Sequence, residues 1–230
     1  MSNLSDAIHP YYPLEADISG FLKNEWSTPA LLATFATACT AVFSITYATL
    51  RFFRPRLPQS ELLTILWFVL CGSIHIFFEG FFVANYKDLG SSQHPIGQMW
   101  KEYALSDSRY LTSDPLVLSV EALTAIFWGP LSFTIAGLIA VNHPLRHPLQ
   151  ALVSAGQIYG DILYYATNTY DHFFNHISYS RPEAFYFWVY YFLMNFFWIV
   201  IPSVLLCSSI VATRRAFETV NRLEENKKGE

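Results

Sequence analysis

Five long apolar runs, separated by shorter polar stretches, dominate the pattern of this chain. Because a bilayer core about 30 Å thick needs about 20 apolar residues in a helix, each run predicts a membrane-spanning helix. The predicted spans are residues 30–50, 62–84, 116–141, 151–167 and 184–211. The fourth span is short and the least apolar, and its Gln157 and Asp161 require it to face protein or a cavity. The pattern predicts an all-α membrane protein, built as a five-helix bundle.

Basic residues are spread unevenly between these spans. Nine of the 14 Lys and Arg residues fall in the first connection, the third connection and the C-terminal tail. Since cytosolic loops carry an excess of Lys and Arg, this bias predicts an N-terminus outside the cytosol and a C-terminus inside it. We divide the chain into a lumenal N-terminal flank (1–28), a membrane domain (29–212) and a cytosolic tail (213–230). The tail ends in KKGE, which suits an endoplasmic-reticulum retrieval signal and an ordinary solvated tail equally well.

Composition supports the membrane assignment and excludes several classes of protein. Hydrophobic residues make up 53% of the chain and charged residues 14%. The formal charge is −4, and the sequence has no basic stripe of the kind that binds nucleic acid. The three cysteines show no CxxC spacing, so neither zinc nor a disulfide framework is predicted. Because HExxH, GxSxG, GxGxxG and P-loop motifs are absent from the sequence, we expect no metal and no nucleotide cofactor.

Ionisable residues inside the predicted spans are the main chemical signal. A carboxylate at the centre of a membrane helix costs about 2.5–3.5 kcal/mol, so we interpret Glu79 and Glu121 as functional rather than as interhelical hydrogen-bonding groups. For His75, four residues before Glu79, two interpretations stand: a packed core histidine and a proton relay. Gln157 and Asp161 favour structural hydrogen bonds. The long connection 85–115 is rich in Trp and Tyr, and either lies on the bilayer surface or caps a cavity.

This set of residues is suited to moving protons on and off an apolar substrate. Burial disfavours the charged form of a carboxyl, so one of two neighbouring carboxyls stays protonated near neutral pH. A histidine beside them relays the proton. Protonation of an alkene leaves a carbocation, which Trp128 or Trp198 would stabilise by a cation–π interaction.

Six stretches, in order over about 130 residues, carry a family resemblance. They are CGSIHIFFEGFFV (71–83), WKEYALSDSRY (100–110), EALTAIFWGPLS (121–132), HPLR (143–146), GQIYGD (156–161) and YFWVYYFLMNFFWIVIP (186–202). Together they resemble the emopamil-binding protein family, the sterol 8(9)-ene to 7(8)-ene isomerases of the EXPERA superfamily.

The resemblance implies a five-helix bundle of the endoplasmic-reticulum membrane, often a homodimer, with a sterol cavity that opens toward lipid. It implies protonation at sterol carbon 9, a cation at carbon 8 and proton loss from carbon 7, with no cofactor consumed. Cationic amphiphilic amines would inhibit by mimicking the cation. Two alternatives remain: an enzyme for another polycyclic terpenoid, and a membrane protein that binds sterols or amines without catalysis.

The same resemblance suggests roles for nine residues, and Trp128 joins them because of its aromatic face. The expected catalytic residues are His75, Glu79, Glu121, Asn195 and Trp198. The expected substrate-binding residues are Thr124, Tyr103, Asp107, Arg109 and Trp128. For Tyr103, Asp107 and Arg109 two roles stand, a polar lid that orients the sterol and a scaffold for the loop.

Overall fold

Every regular element in the part of the chain that the structure describes, residues 9–229 of a computed structural model, is helical. Short connections join the long helices except at residues 86–114, a long connection that contains a further α-helix. The elements are α1 (Thr28–Phe53), α2 (Gln59–Asn85), α3 (Pro95–Tyr103), α4 (Pro115–Ala140), α5 (Arg146–Phe174) and α6 (186–229).

Four of these helices, α1, α2, α4 and α6, are long and apolar enough to cross a membrane. Their outward faces carry many exposed large apolar side chains, which suits contact with lipid rather than water. The prediction of an all-α membrane protein is therefore confirmed, whereas the fifth span stays a prediction.

Helix α5 differs most from its predicted extent. The sequence predicts a short span at 151–167, but the helix runs for 29 residues over Arg146–Phe174. It packs along α6, with an inward face that includes Gln150, Gln157 and Asp161. Because this helix is stabilised by packing of one face, hydropathy alone underestimates its length.

Three helices contain π-helical segments, in which a backbone N–H bonds the carbonyl five residues before it. The segments are Ile74–Glu79 in α2, Thr124–Trp128 in α4 and Tyr186–Leu193 at the start of α6. In α2 the N–H of Gly80 bonds the carbonyl of His75. The α-helical spacing assumed for His75 and Glu79 is therefore locally π-helical, a geometry that occurs often at functional sites.

Two buried apolar clusters divide the interior. One joins the 86–114 connection to α2, α5 and α6, and includes Phe82, Trp100, Tyr110, Tyr164 and Tyr191. The other joins α2, α4 and α5, and includes Phe68, Cys71, Ile135 and Val153. Along α2, His75 and Glu79 lie between Cys71 of one cluster and Phe82 of the other, so the polar residues occupy the junction of two dry cores.

The N-terminal segment, residues 9–27, is attached to α3. The hydroxyl of Tyr11 donates to the carbonyl of Lys101 at 3.0 Å, and the ammonium of Lys101 donates to the carbonyl of Leu22 at 2.7 Å. Lys101 is fully buried, and burial lowers its pKa to about 8 although Glu25 raises it. The 86–114 connection is thus folded into the body of the protein.

The predicted cytosolic tail begins as a continuation of α6. The α-helical part of α6 runs over Met194–Gly229, and an ion pair between Arg214 and Glu218, one turn apart at 3.4 Å, lies on its exposed surface. This stretch is rich in strong helix formers, so no break separates span from tail. Residues 1–8 of the predicted flank, and Glu230 of the KKGE sequence, lie outside the described residues. The three-part division of the chain stays a prediction.

Candidate active site

His75 and Glu79 form the centre of a buried hydrogen-bond network. Nδ1 of His75 lies 2.7 Å from Oε2 of Glu79, and both residues are less than a tenth exposed. The hydroxyl of Thr124, on α4, bonds the same Oε2 and also lies 2.8 Å from the backbone carbonyl of Glu121. The π-helical segments of α2 and α4, which pack against each other, bring these three side chains together.

Glu121 provides a second carboxyl beside the first. Its side chain is buried and is close enough to Glu79 for direct interaction. The hydroxyl of Tyr110 donates to Oε1 of Glu121 at 2.9 Å. Burial, together with the Glu121 carboxyl, raises the pKa of Tyr110, so its phenol stays protonated and acts as a donor. Two carboxyls, one imidazole and two hydroxyls therefore meet inside the bundle.

Gln157 of α5 completes the network on the other side of His75. Its amide nitrogen lies 3.2 Å from Nε2 of His75. Because an amide nitrogen only donates, Nε2 of His75 is the acceptor and Nδ1 carries the proton that faces Glu79. This assignment follows from the hydrogen-bond network.

Two glycines allow the helices to approach closely enough for these contacts. A Cβ at Gly129 would lie 2.6 Å from Cγ1 of Ile76, next to His75. A Cβ at Gly156 would lie 2.4 Å from the ring of Trp128. Both distances are far below a normal contact, so a larger residue would force the side chain of Ile76 or Trp128 to move or the helices to separate.

The other predicted site residues lie around this network at different distances. Asn195 donates to the hydroxyl of Tyr103 at 3.0 Å, and the ring of Tyr103 packs edge-on against Tyr110 at 5.4 Å. Trp198 packs against Trp67 of α2, with ring centroids 5.5 Å apart. Asn195 and Tyr103 thus approach the carboxyls through Tyr110, while Trp128 and Trp198 belong to the apolar cluster of α2, α4 and α5.

Asp107 and Arg109 form a separate buried ion pair. The guanidinium binds both carboxylate oxygens, with the shortest distance 2.6 Å, and is stacked 4.8 Å over the ring of Tyr164. Burial alone would lower the pKa of Arg109, but Asp107 raises this pKa by more, so the net change is upward and the guanidinium stays charged. Arg109 also donates to the hydroxyl of Thr167 on α5 at 2.9 Å. These contacts attach the connection to α5 and favour the scaffold role, although substrate binding by the pair stays a prediction.

Two open grooves of about 490 and 510 Å³ lie along α5, on the side of Ala166 and Tyr170. Neither is lined by His75, Glu79 or Glu121. The larger groove includes Arg109, Asp114 and Asp171, whereas the other is almost entirely apolar. The predicted sterol cavity therefore stays a prediction.

Two residues of the network, Tyr110 and Gln157, are not among the site residues that the sequence predicts. Tyr110 ends the WKEYALSDSRY stretch that supplied three predicted residues, but a tyrosine in a long connection carries no signal of burial beside a carboxyl. The sequence pattern favours a structural hydrogen bond for Gln157, and its contact with His75 depends on the packing of α5 against α2. Polar residues on the inward face of a short apolar run are the signal that points to both Gln157 and Asp161.

The fold and this network define an all-α membrane protein with a buried acid–base centre, suited to proton transfer within an apolar environment. The chain belongs to the family described as EXPERA (EXPanded EBP superfamily), which it matches over residues 95–209.

Relatives with established names agree with this membership. A 3-beta-hydroxysteroid-Delta(8),Delta(7)-isomerase of Cavia porcellus is 36% identical over 208 residues, 88% of each chain. An isomerase of the same name from Rattus norvegicus is 36% identical over 204 residues, 88% of this chain and 87% of its own. A protoglabretal synthase of Citrus sinensis is 34% identical over 147 residues, 63% of this chain and 67% of its own.

Proposed function

We propose that this chain is a 3β-hydroxysteroid Δ8,Δ7-isomerase, which moves a sterol double bond from 8(9) to 7(8). The observation that carries the proposal is the pair of neighbouring buried carboxyls, Glu79 and Glu121, joined to His75 in an otherwise apolar bundle. The isomerases that align with 88% of the chain support the same substrate class.

The reaction needs one proton added and one removed. A protonated carboxyl of the Glu79–Glu121 pair gives its proton to carbon 9, and the electrons of the 8(9) double bond form the new C–H bond. The cation at carbon 8 then loses the proton of carbon 7, whose C–H electrons form the 7(8) double bond. The carboxyl pair takes up that proton, so the site returns to its starting state and no cofactor is consumed.

The neighbouring groups suit both protonation states of Glu79. The hydroxyl of Thr124 has a single proton, so when it donates to the Glu121 carbonyl it is free to accept from protonated Glu79. When Glu79 is ionised, the Nδ1 proton of His75 stabilises the carboxylate. Tyr110 does the same for Glu121.

Exclusion of water is the reason for placing this chemistry between two apolar clusters. Water would capture the carbocation as an alcohol, and it would weaken the electrostatic contacts of the site. Trp198 and Trp128 offer aromatic faces for the cation, and Asn195 with Tyr103 orients the sterol beside Tyr110. Asp107 and Arg109 hold the connection that carries Tyr110.

We place the protein in the endoplasmic-reticulum membrane, with the N-terminus lumenal and the C-terminus cytosolic. The bias of Lys and Arg toward one side supports this orientation. In this arrangement α5 is the fifth span, its polar face turned to the bundle and away from lipid. A sterol cavity that opens toward lipid, and a homodimer, complete the proposal.

Incubation of the purified protein with an 8(9)-ene sterol in heavy water tests the function and the mechanism together. We expect the 7(8)-ene product with one deuterium at carbon 9, because the carboxyl protons exchange with solvent between turnovers. Mass spectrometry and NMR of the product give both results. Product without deuterium at carbon 9 would contradict protonation there, and no product with any 8(9)-ene sterol would leave the terpenoid and non-catalytic alternatives.

A tertiary amine should compete with the sterol, since its ammonium resembles the carbocation beside two carboxyls. We expect Trp198→Ala to weaken binding of this amine about tenfold more than binding of a neutral analogue of the same shape, the difference that one desolvated cation–π contact represents. Competition binding with the two ligands measures the ratio. Phe196→Ala, on the exposed side of the same helix, is the control; equal weakening of both ligands by Trp198→Ala would rule out the cation–π role.

A further inference from the structure

The inward face of α5 carries buried oxygen atoms that no described residue satisfies. Three of them are Oγ of Ser154, Oε1 of Gln157 and Oδ2 of Asp161, at spacings of three and four residues on one helical face, and the hydroxyl of Tyr164 is a fourth. All four residues are less than a tenth exposed. Buried polar atoms are almost always hydrogen-bonded. A row of unpartnered oxygens therefore indicates hydrogen bonds that the described contacts do not include.

Gln157 and Asp161 are neighbours in this row. They are four residues apart on α5, a spacing that puts their Cβ atoms about 5–6 Å from each other. Gln157 uses its amide nitrogen on Nε2 of His75, which leaves its carbonyl oxygen without a donor. Two buried oxygens without a described donor therefore belong to residues one helical turn apart, one of them on the residue that contacts His75.

A protonated Asp161 carboxyl can donate directly to Oε1 of Gln157. Two further arrangements satisfy both oxygens when Asp161 is ionised, and each of the three couples Asp161 to His75 through Gln157. A single water molecule has two protons and can donate one to each oxygen. Alternatively, a half-turn of the Gln157 amide presents its oxygen to a His75 that carries protons on both nitrogens, and its NH₂ group to Asp161. In each arrangement the Asp161 side chain selects the orientation of the Gln157 amide.

We propose that Asp161 is a positioning residue for His75, acting through Gln157, and that it determines whether Nε2 of His75 carries a proton during turnover. The inference rests on the proposed isomerase function and names a residue beyond the carboxyl–histidine network. Asp161 does not touch the sterol in this scheme. It favours the state in which both nitrogens of His75 are protonated, the state in which the histidine passes a proton to Glu79.

The charged and titratable groups around this stretch of α5 come from every helix packed against it. Tyr165 adjoins Asp161 on its own helix and packs against Tyr191 of α6 at 5.2 Å. The groups on the other helices are Cys71, His75 and Glu79 of α2 and Glu121 of α4. His75 is the one group in this set that is positive when protonated, so removal of the Asp161 charge acts on it most directly.

The test is Asp161→Asn in the full-length protein, assayed for isomerisation across pH. We expect kcat to fall about tenfold with little change in KM, the loss that corresponds to one hydrogen bond. The alkaline limb of the kcat profile should also move to lower pH, because doubly protonated His75 loses a stabilising charge. Asp161→Glu, which keeps the charge, should restore part of the rate.

Two further variants separate positioning from packing. If Asp161 acts through Gln157, the double variant Asp161→Asn with Gln157→Leu should have nearly the same kcat as Gln157→Leu alone. Ser154→Ala removes another unpartnered buried oxygen of the same helix face and should leave kcat and its pH profile unchanged. Asp161→Ser, which leaves room for a water molecule, replaces Asp161→Asn should that variant fail to fold.

The outcomes distinguish this inference from the proposed function. An unchanged pH profile for Asp161→Asn, or a loss that adds fully to that of Gln157→Leu, would overturn the positioning role. If the wild-type protein itself gives no 7(8)-ene product, the isomerase function fails. If the wild type isomerises and Asp161→Asn matches it, only the positioning role fails.

Discussion

Replacing Glu79 with glutamine should reduce isomerisation by about 10²–10⁴-fold, the contribution of a positioned general acid or base. Glutamine has nearly the shape of glutamate and can still bond His75 and Thr124. It cannot give or accept the proton that the sterol requires. The loss should therefore appear in kcat, measured as 7(8)-ene product per unit of folded protein.

The matched control is Glu102→Gln. Glu102 is as buried as Glu79, each 8% exposed, but its carboxyl accepts hydrogen bonds from Thr28 and Tyr190, away from the carboxyl pair. We expect this variant to keep most of the activity. Full turnover by Glu79→Gln would remove Glu79 from the mechanism and leave Glu121 as the acid.

Removing the charge of Asp107 should be the most damaging single change to stability. Asp107→Asn leaves the guanidinium of Arg109 buried without a counter-charge, and breaking a buried ion pair in this way costs about 3–5 kcal/mol. Asp107 is fully buried and Arg109 is 2% exposed, so water cannot replace the lost carboxylate. Thermal unfolding in detergent, followed by intrinsic fluorescence, measures the loss.

The surface pair Arg181–Glu183 provides the comparison. Both residues are partly exposed, so Glu183→Gln should change the unfolding temperature little. The double change Asp107→Leu with Arg109→Met should be milder than Asp107→Asn, because it leaves no unpaired charge. A stable Asp107→Asn protein with a raised KM for sterol would instead support the role of the pair in substrate binding.

Helix positions are largely predictable because the hydropathy of each segment depends only on the residues of that segment. The predicted spans at 30–50, 62–84, 116–141 and 184–211 each overlap a helix that is long and apolar enough to cross a membrane. The span at 151–167 was the weakest prediction, because α5 is held by its contacts with α6 rather than by its own composition. Its true extent, Arg146–Phe174, depends on the neighbouring helices.

The chemical centre was predictable in its types of residue more than in its geometry. The cost of burying Glu79 and Glu121 marks them in any membrane helix, and the proximity of His75 to Glu79 follows from their local spacing. The π-helical segments, and the bond from Tyr110 to Glu121, have no local signal of comparable strength. Tyr110 belongs to a connection whose path depends on the Asp107–Arg109 pair and on the N-terminal segment.

Residue types and their local order suffice for the helical class, the membrane setting and the burial of two carboxyls and a histidine, because transfer energies depend on residue type and local order. Which groups meet is a property of the packed helices: Gln157 contacts His75, Tyr110 contacts Glu121, and Asp107 pairs with Arg109 away from both. These contacts require helices to approach across Gly129 and Gly156, and that approach depends on side-chain shapes from distant parts of the chain.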